Sequence, residues 1–225
     1  MENISYIFGI ICSLILPILL AALYIRKNKK HLKPVLLGSL TFFVFQILVR
    51  IPILELALPQ ATWYNILVHT QPILYALFLG ATAAIFEETG RYIVIKLFLK
   101  KQLTTDDGIS FGIGHGGLEA ILLVGINYIY LLVTKIYEFA PEMIFLGGIE
   151  RVFAIAIHIG MSVLVMKSIR EKRLVWFVLA LLLHTLIDVL AVLILNVYIL
   201  ELIIMAFAVL ALLFVKREEK SENIY

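Results

Sequence analysis

Apolar residues in this chain gather into runs near 20 residues long, separated by short polar segments. That is the length an α-helix needs, at about 1.5 Å per residue, to cross about 30 Å of hydrocarbon. Seven such runs lie near 4–25, 35–57, 72–98, 108–133, 143–168, 174–195 and 197–215. Almost nothing separates the last two. They read as two helices, because one helix from 174 to 215 would be twice the needed length and the Asn196–Tyr198 stretch offers an interfacial turn. The expected fold is all-α, a polytopic membrane bundle of about seven transmembrane helices in the cell membrane. Basic residues follow the first run instead of preceding it, so it reads as a retained anchor and not a cleavable signal peptide.

Composition agrees. Of 225 residues 62% are apolar and 16% charged, against about 25% charged in an ordinary soluble domain. No linker, low-complexity tract or internal repeat divides the chain, so residues 1–225 are expected to form one integral membrane domain. Within it, 1–34 would be the anchor helix and basic loop, 35–195 the core, and 196–225 the last helix and tail. The single cysteine, Cys12, lies in the first apolar run, which excludes an intramolecular disulfide.

Loop charge sets the expected orientation. Alternate loops hold Arg26, Lys27, Lys29, Lys30 and Lys33, then Lys100 and Lys101, then Lys167, Arg170, Lys172 and Arg173, then Lys216, Arg217 and Lys220, fourteen in all. The opposite set holds only Lys135. The N-terminus should therefore lie outside and the C-terminus in the cytoplasm. The net charge of +3 is then a topology signal and implies no nucleic-acid partner.

Ionisable residues remain inside the runs: Glu87, Glu88, Arg91, Glu119, Glu150, Arg151 and Asp188, with His115, His158 and His184. Asp, Arg or Lys at a helix centre costs about 2.5–3.5 kcal/mol on insertion scales, so such residues face the interior and mark a site. Arg50, Glu55, Lys96 and Glu201 lie nearer helix ends and read as snorkelling or pairing between helices. Counted from the expected cytoplasmic ends, Glu88, His158 and His184 lie ten residues in and His115 seven, or roughly 10–15 Å deep. Four helices of alternating direction thus deliver these groups to one layer. Helical spacing puts Glu87 with Arg91, His115 with Glu119, and His184 with Asp188 on shared faces, and Arg151 shares a side with His158. Glu87 and Glu88 diverge by about 100°, so one should line a cavity, with Glu88 preferred, while the other pairs with Arg91. Gly112, Gly114, Gly116 and Gly117 surround His115 and permit close helix approach or admit a substrate backbone.

These segments carry a resemblance. Glu87-Glu88-Thr89-Gly90-Arg91 resembles, one residue short, the EExxxR motif of the CAAX-protease and bacteriocin-processing superfamily of intramembrane proteases. Phe111 to His115 matches its FxxxH motif, and His184 to Asp188 resembles its HxxxN motif. The longer string GIGHGGLEA, followed by ERVFAIAIH at 150–158, is closer to the YhfC branch, intramembrane metalloproteases. The likeness spans roughly residues 35–195.

The resemblance implies that Glu88 or Glu87 and His115 activate a water for attack on a peptide carbonyl, with His184 and the residue four later stabilising the oxyanion. That later residue is Asp188 here, and an ionised carboxylate cannot donate a hydrogen bond. The additional histidine points instead to Zn²⁺ held by His115, His158, His184 and Glu88, open to one water. Asp188 and Glu119 could orient imidazoles or act as ligands, and Arg91, Glu150 and Arg151 would support the site structurally. The chain lacks HExxH and GxGD signatures. Ser110 and Ser162 lie near the layer without an evident basic partner. The expected function is an intramembrane metallo-endopeptidase acting on a peptide or membrane-protein substrate among membrane lipids. A metal-dependent hydrolase of a lipid amide, and a non-enzymatic scaffold or transporter of related fold, are the alternatives.

Overall fold

The computed structural model describes residues 2–100, 103–136 and 139–222; the loop cation Lys101 lies outside them. Among the described residues seven helices are long and apolar enough to cross a membrane: α1 (Asn3–Lys27), α2 (Lys29–Gln60), α4 (Pro72–Phe98), α5 (Thr105–Thr134), α6 (Pro141–Glu171), α7 (Val175–Leu193) and α8 (Val197–Glu222). They coincide with the seven apolar runs, and the chain is a multi-pass membrane protein. A short helix, α3 (Thr62–Thr70), occupies the segment before Pro72 that hydropathy leaves as a loop. Trp63 and Tyr64 at its start pack edge-on against Phe78, with ring centroids 6.1 and 5.8 Å away, as suits aromatic side chains at a membrane–water boundary.

Proline accounts for three irregularities. A proline ring has no N–H to give to the carbonyl four residues back, so the preceding turn widens. Leu16 before Pro17 donates to the Ile11 carbonyl, Ile51 before Pro52 to Gln46, and Leu58 before Pro59 to Ile53. A fourth wide turn, Ala120–Gly125 in α5, has no proline; it begins directly after Glu119.

Two compact units divide the chain. The first takes in the segments up to Ser39, Thr104–Val163 and from Glu201 onward; the second takes in Leu40–Leu103 and Leu164–Leu200. In the first, Ile109, Ile113 and Ala120 of α5 pack with Ile155, Ile159 and Val163 of α6 and Val215 of α8. The α5 start is closed by a Thr104–Asp107 capping box. The Glu222 carboxylate also accepts the Thr105 N–H, at 2.9 and 3.0 Å. In the second unit α4 and α7 pack along most of their length. Gly80 permits this, since a Cβ there would stand 2.8 Å from the Thr185 carbonyl oxygen. The break between α7 and α8 falls at 194–196. There the Asn196 Oδ1 accepts the N–H groups of Tyr198 and Ile199 at 3.1 and 3.2 Å.

Candidate functional site

In the first unit the site is built on the α5–α6 seam. Gly108, Gly112 and Gly116 recur every four residues and so share one face of α5. A Cβ on Gly112 would collide with the Ile159 backbone, and one on Gly108 would stand 2.9 Å from Val163 Cγ2. At Gly116 the added atom would meet Cβ and Cδ2 of His158, both at 2.9 Å. The glycines on the other side are also used in packing: Gly114 lies against the Val35 backbone and Gly117 against Pro17. Of the two expected uses of this segment, close helix approach is the one realised at all four glycines, and at Gly116 the space it frees is filled by His158.

That approach brings His115 and His158 together, with ring centroids 5.1 Å apart and planes tilted by 38°. Both are buried. His158 Nε2 is 2.6 Å from Glu119 Oε2, while Glu119 Oε1 accepts from Arg151 Nη1 at 3.0 Å. Arg151 pairs with Glu150 through its other terminal nitrogen. Arg151 therefore pairs with both Glu119 and Glu150. Glu119 shares a helix face with His115, yet the imidazole it binds is that of His158, on the next helix. With Nε2–H given to Glu119, the lone pair of the His158 ring lies on Nδ1.

In the second unit Arg91 holds both neighbouring carboxylates of α4, Glu88 at 2.5 Å and Glu87 at 3.5 Å. The expectation paired Arg91 with Glu87 and sent Glu88 to a cavity; the shorter contact is the one to Glu88. Glu88 Oε1 also meets His184 Nδ1 at 2.7 Å, and the side chain is fully buried. The other ring nitrogen of His184, Nε2, is 3.7 Å from Asp188 Oδ2 one turn along α7. Both nitrogens of His184 thus face carboxylates, which suits an imidazole that holds and moves a proton.

One residue stands differently from its sequence reading. Ser110 has a histidine neighbour after all, His31 Nδ1 at 3.0 Å. Its one hydroxyl proton goes to the Asp106 carbonyl at 2.7 Å, so toward His31 it accepts, and His31 is not its base. Ser162 likewise donates to the His158 carbonyl at 2.8 Å. Arg50, read as snorkelling or pairing between helices, is buried and takes the second course, donating to Thr82 and Leu79 of α4. Its burial had no signal in hydropathy, because ridge and groove partners along a helix are not encoded by spacing from its end.

The donors fit a metal in kind. Glu87, His115 and His158 are buried, and each offers one ligand atom. Glu119 behind His158 is the carboxylate–imidazole arrangement that fixes the tautomer and raises the basicity of a ligating histidine.

The family model for the YhfC intramembrane metalloprotease matches residues 12–137 and 127–210 of the chain. A protein of Bacillus subtilis (strain 168), described as the uncharacterized membrane protein YhfC, is 35% identical, with 80% of each chain covered. No solved structure matches the chain.

Proposed function

The chain belongs to the YhfC intramembrane metalloprotease family, and on that premise we propose that it is an endopeptidase that hydrolyses a peptide bond within the bilayer. The observation that carries the reading is the His115–His158 pair with Glu119 behind His158. Such an arrangement is costly to bury in a membrane unless it serves a site. The metal we assign is zinc, with His115 and His158 of the first unit as donors. A zinc ion bound by these groups would polarise a carbonyl and make a water acidic near neutral pH.

The remaining roles belong to the chain's own groups. Glu119 holds His158 in the tautomer protonated at Nε2. Arg91 compensates the charge of Glu87 and Glu88. The Glu88–His184 pair accepts the proton released from the attacking water and returns it to the leaving amine, with Asp188 steadying the far side of the ring. Kinship with the wider CAAX-protease and bacteriocin-processing superfamily belongs to the same proposal and rests on the motifs at 87–91, 111–115 and 184–188. Fourteen cationic residues on one set of loops against one on the other support an N-terminus outside and chemistry in the cytoplasmic half of the bilayer.

Zinc analysis of the full chain in lipid nanodiscs tests the reading, together with incubation against membrane-anchored peptides and against N-acyl lipids. Zinc should co-purify and be lost in His158→Ala, and the peptides should be cut. Peptidase activity without metal, or cleavage of lipid amides alone, would replace this function with another.

A further inference from the structure

Three interior arginines can be compared. Arg91 contacts two carboxylates, and so does Arg151. Arg50 on α2 is as deeply placed, at 8% exposure, but its partners are neutral: Nε donates to Thr82 Oγ1 at 3.3 Å, Nη1 to Gln46 Oε1 at 3.3 Å, and Nη2 to the Leu79 carbonyl at 2.8 Å. Among the described residues no carboxylate is in ion-pair contact with it. Glu87 and Asp188 act on it only through space.

Arg50 lies ten residues before the end of α2 at Gln60, or about 15 Å along the helix. In about 30 Å of hydrocarbon that is too deep for a lipid headgroup. A guanidinium has five N–H donors in a planar fork. Three are engaged here, one from each nitrogen, so each terminal nitrogen keeps one. A buried arginine without a counter-ion is costly, and the neighbouring acceptors Thr82, Gln46 and Leu79 hold the fork in place without neutralising it. Thr82 precedes Glu87 by five residues on α4, a rise of about 7.5 Å. The cation therefore sits along α4 from the catalytic carboxylates, on the side away from Arg91.

We propose that Arg50 binds a carboxylate of the peptide substrate, supplying the missing counter-ion only when substrate is present. The proposal rests on the peptidase reading and specifies its substrate as a peptide carrying an anionic group near the cut bond. Gln46 and Thr82 are positioning residues that orient the fork.

The test is equilibrium binding to the full chain in nanodiscs of neutral phosphatidylcholine. The probes are three forms of one leucine–alanine peptide: free C-terminal carboxylate, C-terminal amide, and amide with one glutamate side chain. At least one carboxylate form should bind at least about tenfold tighter than the neutral amide, as charge-assisted pairing requires. Which of the two does so identifies the source of the anion. Arg50→Gln should reduce that peptide to the affinity of the neutral one, while Arg50→Lys keeps charge and stem but loses the bidentate fork and should retain only part of the preference. If Arg50→Gln does not fold, an unchanged preference in Arg50→Lys overturns the proposal. Equal affinities in the unmodified protein also overturn it, and so does a preference that disappears in anionic phosphatidylglycerol nanodiscs, because lipid phosphate would then be the occupant. Binding is read without turnover: a carboxylate preference in a protein that cuts no peptide would sink the peptidase reading and leave the anion site standing.

Discussion

His158 depends on an atom that its neighbour lacks. Gly116→Ala would place a methyl group 2.9 Å from the His158 Cβ and Cδ2, and overpacking of that kind costs about 1–3 kcal/mol. The expected result is a lower melting temperature and, more tellingly, weaker zinc retention; Gly117→Ala, whose nearest contact would be Pro17 Cβ at 3.1 Å, should retain zinc. Glu119 acts on the same ring at Nε2. Glu119→Gln keeps the shape but replaces an anionic acceptor with a neutral one, so competition with a metal chelator should show zinc held about 10–100-fold more weakly. In the second unit, Arg91→Met leaves Glu87 and Glu88 without their shared cation. Removing one partner of a buried ion pair costs about 3–5 kcal/mol, which unfolding in mixed micelles would register as a large loss of stability.

Helices here are shaped by single residues at defined places. Pro17, Pro52 and Pro59 each leave a carbonyl without its usual donor, and the wide turn before each is the local answer. The turn after Glu119 has no such cause in the sequence, and π-type turns of this kind are frequent at functional sites. The start of α8 depends on one side chain, since Asn196 supplies the acceptor for the N–H groups of Tyr198 and Ile199. Asn196→Ala should therefore cost about 0.5–2 kcal/mol, measured as a shift in the unfolding midpoint, whereas Asn196→Asp should retain most of the stability. On the other side of α7, Glu171 accepts from the Trp176 indole at 2.9 Å and pairs with Lys167 at 3.3 Å, which fastens the short α6–α7 turn.

The whole molecule is arranged for lipid. Large apolar side chains such as Leu182 on α7 and Leu202, Leu210 and Leu213 on α8 are exposed, and in water such surfaces would mark aggregation or a partner. In a seven-span membrane protein they are the surface that meets acyl chains. The loop cations make the orientation testable: a reporter fused to the C-terminus should be active only in the cytoplasm. Activity on the outer side would reverse the orientation and the proposed depth of the chemistry.

Hydrophobic run length was enough to locate all seven spans, because crossing hydrocarbon imposes one length on every helix whatever it packs against. The break at 194–196 was legible for the same reason, since one helix could not be 42 residues long and still fit. The ionisable residues worth examining were legible too, because a charge inside an apolar run stands out against the cost of placing it there. Partner choice was not. Helical spacing put Glu119 on the face of His115, but only the glycine seam of α5, which brings α6 near, lets Glu119 reach His158. Glu88 looked free for a cavity until α7 packed against α4 and set His184 upon it. Arg50 looked like an end residue because distance along one helix says nothing about what the neighbouring helices cover. Spacing describes one helix at a time, whereas the pairing of these charges is decided where two helices meet, by how closely their backbones can approach.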